Sequence, residues 1–398
     1  MSSKTVLFIV NNSKIDLNSS GGASVYFSHV DLLHSLGYKI ILLATQWNDV
    51  SVFNNDDYTD VREKLDTIIS YSVVKKQPNK GIKRLSDAIF NPTKFEYYFI
   101  NKENKEFIEN IIIKHKIDFI WAEWRWNAIM VAAFNLKTPS IYSHHDWEYK
   151  LAKLRTPNQN LNKRFHTFQK KRVEINLIKT VAGVVSGSYT ETNEVLEHQK
   201  KALYLPTTYI NIEVDVKPNK TPKIVHLGGM GTTANRIGLE RFLTVCWDAI
   251  KTAIPTVELV IIGKLKGASE KLLNLINFDK SIVSLGFVKE LDNVLLPGDF
   301  HIIPWEFNTG TRTRVPVVFN HKQVLVSTKA AVECYPEVTN KNAVLCDDLT
   351  DMGHKIIELY NTNDKGMKIA LEGKQLFKNH FTTASQKENL STFLQKIK

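Results

Sequence analysis

The sequence predicts a doubly wound α/β fold arranged as two Rossmann-like domains, and three observations carry that expectation. Its 398 residues exceed the size at which one hydrophobic core usually keeps growing, so the chain is expected to divide. Short apolar runs of strand length alternate with stretches of helical periodicity. A glycine-rich loop follows the first apolar run of each half, where parallel sheets bind ligands. The hydrophobic fraction of 43% and charged fraction of 23% are ordinary for a folded, water-soluble domain and argue against disorder. Cys246, Cys334 and Cys346 are too few and too scattered for a disulfide framework or a zinc site, which points to a reducing, cytoplasmic setting. The first apolar run is too short for a signal core or a membrane span.

In chain order, TVLFIV at 5–10 is a continuous apolar run of the kind that forms a strand buried on both faces. A polar loop leads to Gly21-Gly22. Val25, Tyr26, Val30, Leu33 and Leu36 then recur at roughly helical spacing until Gly37 ends the helix. KIILLAT is the next strand. A helix over 102–115, the strand IDFIWAE, a helix over 126–136 and the strand SIYSHH continue the alternation. A long basic helix, the strand TVAGVVSGS, a helix over 191–199 and the short strand ALYLP complete a first domain, 1–205. Residues 206–222, with Pro206, Pro218 and Pro222, form the expected linker. The second domain, 223–383, opens with KIVHLGG. It continues through a helix at 237–250, the strand VELVIIG, a helix at 269–277 and the strands SIVSLG and FHIIPW. A helix after Gly310 and the strands QVLVST and NAVLCDD follow. The C-terminal helix, about 384–398, is a candidate to pack back on the first domain.

The segment 304–328, PWEFNTGTRTRVPVVFNHKQVLVST, is the most informative. Its loop Thr309-Gly310-Thr311, with Arg312 and Arg314, sets backbone N–H groups and guanidinium forks where both can match phosphate oxygens. That pattern points to a nucleotide-linked substrate. The run from Gly310 to Thr328 resembles the donor loop of retaining GT-B glycosyltransferases of the family 4-like branch. Gly310, Arg312, Arg314, Val326 and Ser327-Thr328 fall on the pattern of that family. Val317-Val318 stand where it usually has Glu-Ala, and Asn320, Lys322 and Val324 replace its Ala, Gly and Pro. The resemblance implies two Rossmann-like domains facing across a cleft, the acceptor on the first and a nucleotide-sugar on the second. The co-substrate is that nucleotide-sugar, with no further cofactor. The family glutamate commonly binds the ribose, so its absence leaves Glu306 or Glu333 as replacements.

HLGGMGTTANRIGLERF resembles the segment that opens the family's donor domain, with Gly228, Met230, Asn235 and Phe242 on the pattern. Gly229 belongs to a phosphate cradle at a helix start. Arg236 is either a phosphate-side cation or a surface arginine. Lys264, directly after a strand, reaches for the pyrophosphate, and Phe287-Val288 match the family's base-holding G-x-V. Gly21 and Gly22 are either a tight turn or a place for close approach by phosphate or sugar. The Pro139-to-His145 spacing resembles the family strand that ends in a donor-sugar histidine, which makes His145, with Asp146, the expected catalytic pair. His144 is the weaker candidate, directed into the domain. Glu123 and Arg125, beside Trp124 and Trp126, join Glu148 as acceptor candidates; an aromatic cap over the core is the competing reading. No DxD-type metal loop stands out, and no metal is expected.

The net charge of +11 includes two local clusters. Lys75, Lys76, Lys80, Lys83 and Arg84 form one; Lys163, Arg164, Lys170, Lys171 and Arg172 form the other, interleaved with Leu161, Phe165 and Phe168. An anionic membrane surface is a candidate partner, and a solvated face of a core-packed helix is the competing reading. Nucleic acid is not expected, because no recognised module accompanies the charge. The resulting expectation is a retaining, metal-independent glycosyltransferase. It would act on a glycan or lipid-linked acceptor in surface polysaccharide or glycoconjugate biosynthesis, in the cytoplasm or at the inner face of the membrane. A non-catalytic GT-B partner subunit and an inverting enzyme with His145 or Asp146 as general base are the alternatives.

Overall fold

The computed structural model describes residues 4–47, 53–156, 158–213, 221–308 and 310–397. The chain divides into two compact units, Met1–Pro206 with Gln386–Lys398, and Thr207–Ser385.

The first unit is built on seven strands: β1 (Thr5–Asn11), β2 (Lys39–Gln46), β3 (Thr67–Ser72), β4 (Phe119–Glu123), β5 (Ser140–His144), β6 (Gly183–Ser186) and β7 (Ala202–Tyr204). They pair in parallel in the order β3-β2-β1-β4-β5-β6-β7. Side chains alternate across the pleat, so β1 serves two cores. Leu7 and Ile9 join one apolar cluster, and Val6, Phe8 and Val10 the other. The second cluster also takes Leu390, Phe393, Leu394 and Ile397 from the C-terminal segment. Gly183 makes room for them, since a Cβ there would overlap Ile397 and lie 2.9 Å from Phe393. The sequence reading did not anticipate β3. Its segment TIISYS is a half-exposed edge strand, so it lacks the continuous apolar run that marks the central strands.

The second unit has six parallel strands: β8 (Ile224–Leu227), β9 (Leu259–Ile262), β10 (Ile282–Gly286), β11 (Phe300–Ile303), β12 (Val324–Thr328) and β13 (Val344–Cys346), in the order β10-β9-β8-β11-β12-β13. The helix expected at 237–250 is two helices, Thr233–Val245 and Trp247–Ala253. The helix breaks at Cys246, and Phe242, Cys246, Trp247 and Ile250 are buried on both sides of the break. Residues 207–213, read as linker, are packed into this unit. Tyr209 N donates to Phe381 O at 2.8 Å, and Ile212 N to Asn320 Oδ1 at 3.2 Å. Residues 214–220 of the expected linker lie outside the described residues. No helix among the described residues is long and apolar enough to cross a membrane.

Candidate active site

Each sheet reverses its order once, between β1 and β4 in the first unit and between β8 and β11 in the second. Ligands of open parallel sheets bind outside the carboxyl ends of strands at such a switch. Most of the residues singled out in the sequence lie at those ends.

In the first unit, Glu123 closes β4 and is fully buried, with 0% exposure. Its Oε1 lies 2.5 Å from His29 Nδ1 and accepts from Trp121 Nε1 at 2.8 Å, while Oε2 lies 2.8 Å from His145 Nε2. Burial alone would raise the carboxyl pKa; the charge and hydrogen bonds of the two histidines overturn that and hold it well below the ordinary range. Glu123 is therefore a buried bridge between histidines. His145 is partly exposed, and its ring meets Tyr26 edge-on at 5.8 Å. His144 points inward, with Nδ1 3.2 Å from Glu191 Oε2. Asp146 follows, partly buried.

Arg125 starts the helix Arg125–Ala133, its guanidinium 5.5 and 6.0 Å from the neighbouring rings of Trp124 and Trp126, and Nη1 pairs with Glu148 Oε2 at 3.0 Å. Lys170 Nζ also reaches Glu148, at 3.2 Å. Glu123 and Glu148 are thus both spent on protein partners, at 0% and 5% exposure. Glu174 accepts from the backbone N–H groups of Glu148 and Tyr149, yet burial still pushes its carboxyl up to about 7. Gly21 and Gly22 open the helix Gly21–Ser35 behind the Ser20 cap, which accepts from Ala23 N at 3.1 Å. A Cβ on Gly22 would meet nothing nearer than Ser20 Oγ at 4.0 Å, so internal crowding is not what requires glycine there. His29 was missed in the sequence; its signal was a polar residue on the same helical face as Tyr26, Val30 and Leu33.

In the second unit, Gly228 follows β8 at φ +137°, and a Cβ there would lie 2.5 Å from Asn235 Nδ2 and 2.6 Å from Arg314 Nη2. Gly263 follows β9 at φ +133°, its absent Cβ leaving room for Gly228 C at 2.6 Å and Gly229 N at 2.7 Å. Only glycine meets both the backbone conformation and the close approach at these two strand ends. Asn235 Nδ2 donates to Gly229 O at 2.9 Å, and Arg314 Nη2 donates to Asn235 Oδ1. Arg312 and Arg314 share one platform, Trp305, with guanidinium carbons 4.0 and 5.1 Å from the ring centroid. The main chain of the loop is tied down by Tyr335 OH donating to Arg312 O at 3.1 Å and Tyr209 OH to Thr313 O at 2.9 Å.

This corner has strong positive character. Burial and then the neighbouring Arg312 charge bring the Arg314 pKa down to about 9, and Arg314 Nη1 is buried with no hydrogen-bond partner among the described residues. His226 and His301 behind it are buried, and burial together with the Arg314 charge keeps both neutral, His301 at about 3. Gly310 and Thr311 stand beside Arg312, while Thr309 lies outside the described residues. Lys264 Nζ sits 5.9 Å from the half-exposed Phe287 ring, and Val288 packs on the apolar cluster of Val225 and Ile262. Val317 packs on that cluster too. Arg236 Nη1 donates to Gly267 O at 3.1 Å. Glu306 is engaged by Arg241, and Glu333 accepts from Asn308 Nδ2 at 3.3 Å. Sequence reasoning did not find Trp305, Tyr335 or Tyr209, whose roles depend on how the loop returns over the sheet.

No protein-family model and no curated protein sequence matches this chain. Solved structures match it along its whole length. HepE from Anabaena, in complex with UDP and glucose, superposes with a TM-score of 0.69 at 13% identity, covering 98% of this chain and 99% of HepE. Sucrose-phosphate synthase from Thermosynechococcus elongatus gives 0.70 at 12% identity, with 99% of both chains covered. A TarM variant from S. aureus, solved with fondaparinux, α-GlcNAc-glycerol and UDP, gives 0.67 at 12%, covering 98% and 99%. With two all-parallel α/β units and this full-length likeness to HepE, sucrose-phosphate synthase and TarM, the chain has the GT-B fold.

Proposed function

We propose that the protein is a glycosyltransferase that moves a sugar from a nucleotide-sugar to a glycan or lipid-linked acceptor. The carrying observation is the pair Arg312 and Arg314 stacked on Trp305, with Arg314 Nη1 buried and lacking an acceptor among the described residues. A diphosphate supplies the oxygens and the negative charge such a corner lacks, and the two guanidiniums stabilise it as the leaving group without calling on a metal ion. Within the second unit Gly229 and Lys264 would flank the phosphates and Phe287 and Val288 the base; within the first, Gly21, Gly22 and His145 are the candidates for contact with sugar. UDP-glucose is the first donor to test, because HepE has been solved with it. Retention of anomeric configuration, and a place in surface polysaccharide or glycoconjugate assembly at the inner face of the membrane, complete the reading.

Thermal-shift titration tests it. UDP or another nucleoside diphosphate at about 100 times Kd should add about 2.7 kcal/mol of stability to the folded protein. If no nucleoside diphosphate or nucleotide-sugar moves the melting temperature, the protein is a non-catalytic partner, in keeping with Val317 in place of the family glutamate. An inverting mechanism is favoured by one observation: His145 backed by the buried Glu123 is arranged as a general base is, its imidazole oriented by a carboxylate. The anomeric configuration of the product decides between the two.

A further inference from the structure

The Gly81–Phe90 helix turns its apolar residues outward. Ile82, Leu85, Ile89 and Phe90 are 88%, 64%, 53% and 81% exposed, and Ala88 is its buried residue. The helix is held instead through its carbonyls. Arg172 donates from Nη1 to Ala88 O at 2.9 Å and from Nη2 to Ile89 O at 2.7 Å, and Gln169 Nε2 donates to Ala88 O at 2.8 Å. Those donors belong to the helix Leu161–Thr180, whose own Leu161, Phe165 and Phe168 are exposed. Arg84 over the Phe95 ring at 4.6 Å, and Phe95 against Phe165 at 5.8 Å, join the two helices into one surface.

Lys80, Lys83, Lys163, Arg164 and Lys171 stand exposed around that surface. Its carboxylates are already engaged, Asp87 by Asn79 at 2.6 Å and Glu96 by His166 at 2.8 Å. Beside Phe168 opens a cavity of about 700 Å³ whose lining includes Tyr149, Lys153, Arg164 and Lys171 and no carboxylate. Apolar side chains ringed by cations fit a surface whose interior is hydrocarbon and whose rim is anionic. Lys153, Arg164 and Lys171 around that cavity offer cationic donors to a phosphate headgroup.

We propose that this face docks on an anionic phospholipid bilayer, with Ile82, Leu85, Ile89 and Phe90 at the acyl boundary and a lipid phosphate in the cavity beside Phe168. The inference concerns the first unit alone and goes beyond the donor reading: vesicle binding without nucleotide binding would leave it standing while that reading fell.

The test is flotation of the full chain with vesicles of phosphatidylcholine alone or mixed with phosphatidylglycerol, at low and raised salt. The protein should float with the anionic vesicles only, and less at raised salt. Lys163→Ala with Arg164→Ala should lower partitioning about 25-fold, at about five-fold per basic residue near the surface. Ile82→Ser with Leu85→Ser and Phe90→Ser should lower it by more than about ten-fold, because apolar insertion is lost. These positions are exposed, so unchanged thermal melting serves as the folding control. No flotation, equal flotation with neutral vesicles, or insensitivity to both variants overturns the proposal. So does a concentration-dependent dimer abolished by the triple variant, which would assign the face to a second copy of the chain.

Discussion

The two strand-end sites stand in opposite electrostatic states. In the first unit, a fully buried carboxylate is answered from several elements: His29 from a helix, Trp121 from its own strand, and His145 from the end of the next strand. In the second unit, two guanidiniums lie on one indole, the charge of one depresses the pKa of the other, and an Arg314 nitrogen is buried without an acceptor among the described residues. Buried groups are normally paired; the first site meets that rule from within the protein, and the second leaves room for the anion proposed above. Removing charge from the first should cost stability. Removing it from the second should cost binding.

The largest effect is expected at Glu123. Glu123→Ala leaves two histidines facing an empty, buried acceptor position, and breaking a buried pair in this way costs about 3–5 kcal/mol, measured by urea unfolding at pH 7. The folded carboxyl is depressed, so its contribution is fully present above the ordinary glutamate pKa of about 4.3 and is lost as pH falls below it. Glu123→Gln should therefore flatten the acid-side loss of stability. A cost for Glu123→Ala under about 1 kcal/mol would mean that the histidines are satisfied elsewhere, and the contrast between the sites would fail.

That contrast was only half legible in the sequence. The Gly310 loop announces itself, because two arginines close behind a glycine between a strand and a helix have few structural uses. Glu123 announced its position at a strand end, but its burial depends on His29, 94 residues away, and no local pattern encodes that meeting. Trp305 was visible only as the end of an apolar run; its function as a platform arises when Arg312 and Arg314 fold back over it. The central strands were readable because burial on both faces demands continuous apolar runs. Edge strand β3 has no such demand, and the break at Cys246 falls where the chain packs on Gly353, at which a Cβ would lie 2.8 Å from the Cys246 Cβ.

Arg314→Met sharpens the comparison from the other side. The charged guanidinium is disfavoured in the folded state, since burial and then the Arg312 charge bring its pKa down to about 9, well below the ordinary arginine value. It subtracts stability below about pH 9, and the deficit closes as pH rises toward the unfolded value. The nucleotide-free variant should thus be as stable as the parent or more so at pH 7, while affinity for UDP falls by about 1.5–3 kcal/mol. Calorimetric titration and thermal melting on one preparation separate the two readouts. A variant that loses stability and keeps UDP would make Arg314 a structural residue.

The smallest effect is the most selective test of the platform. Gly238 lies inside the Thr233–Val245 helix, where alanine would ordinarily be favoured by about 1 kcal/mol. Here a Cβ would stand 2.5 Å from Trp305 Cδ1 and 2.9 Å from Pro304 O, and overpacking of that kind costs about 1–3 kcal/mol. The opposing terms leave a net destabilisation of about 1 kcal/mol for Gly238→Ala. The strain falls on the ring that carries both arginines, so UDP affinity should fall about five-fold or more even where the protein remains folded. Alanine that raises stability and leaves affinity unchanged would show that the indole moves freely. The two guanidiniums would then be positioned by Asn235 and the loop backbone alone.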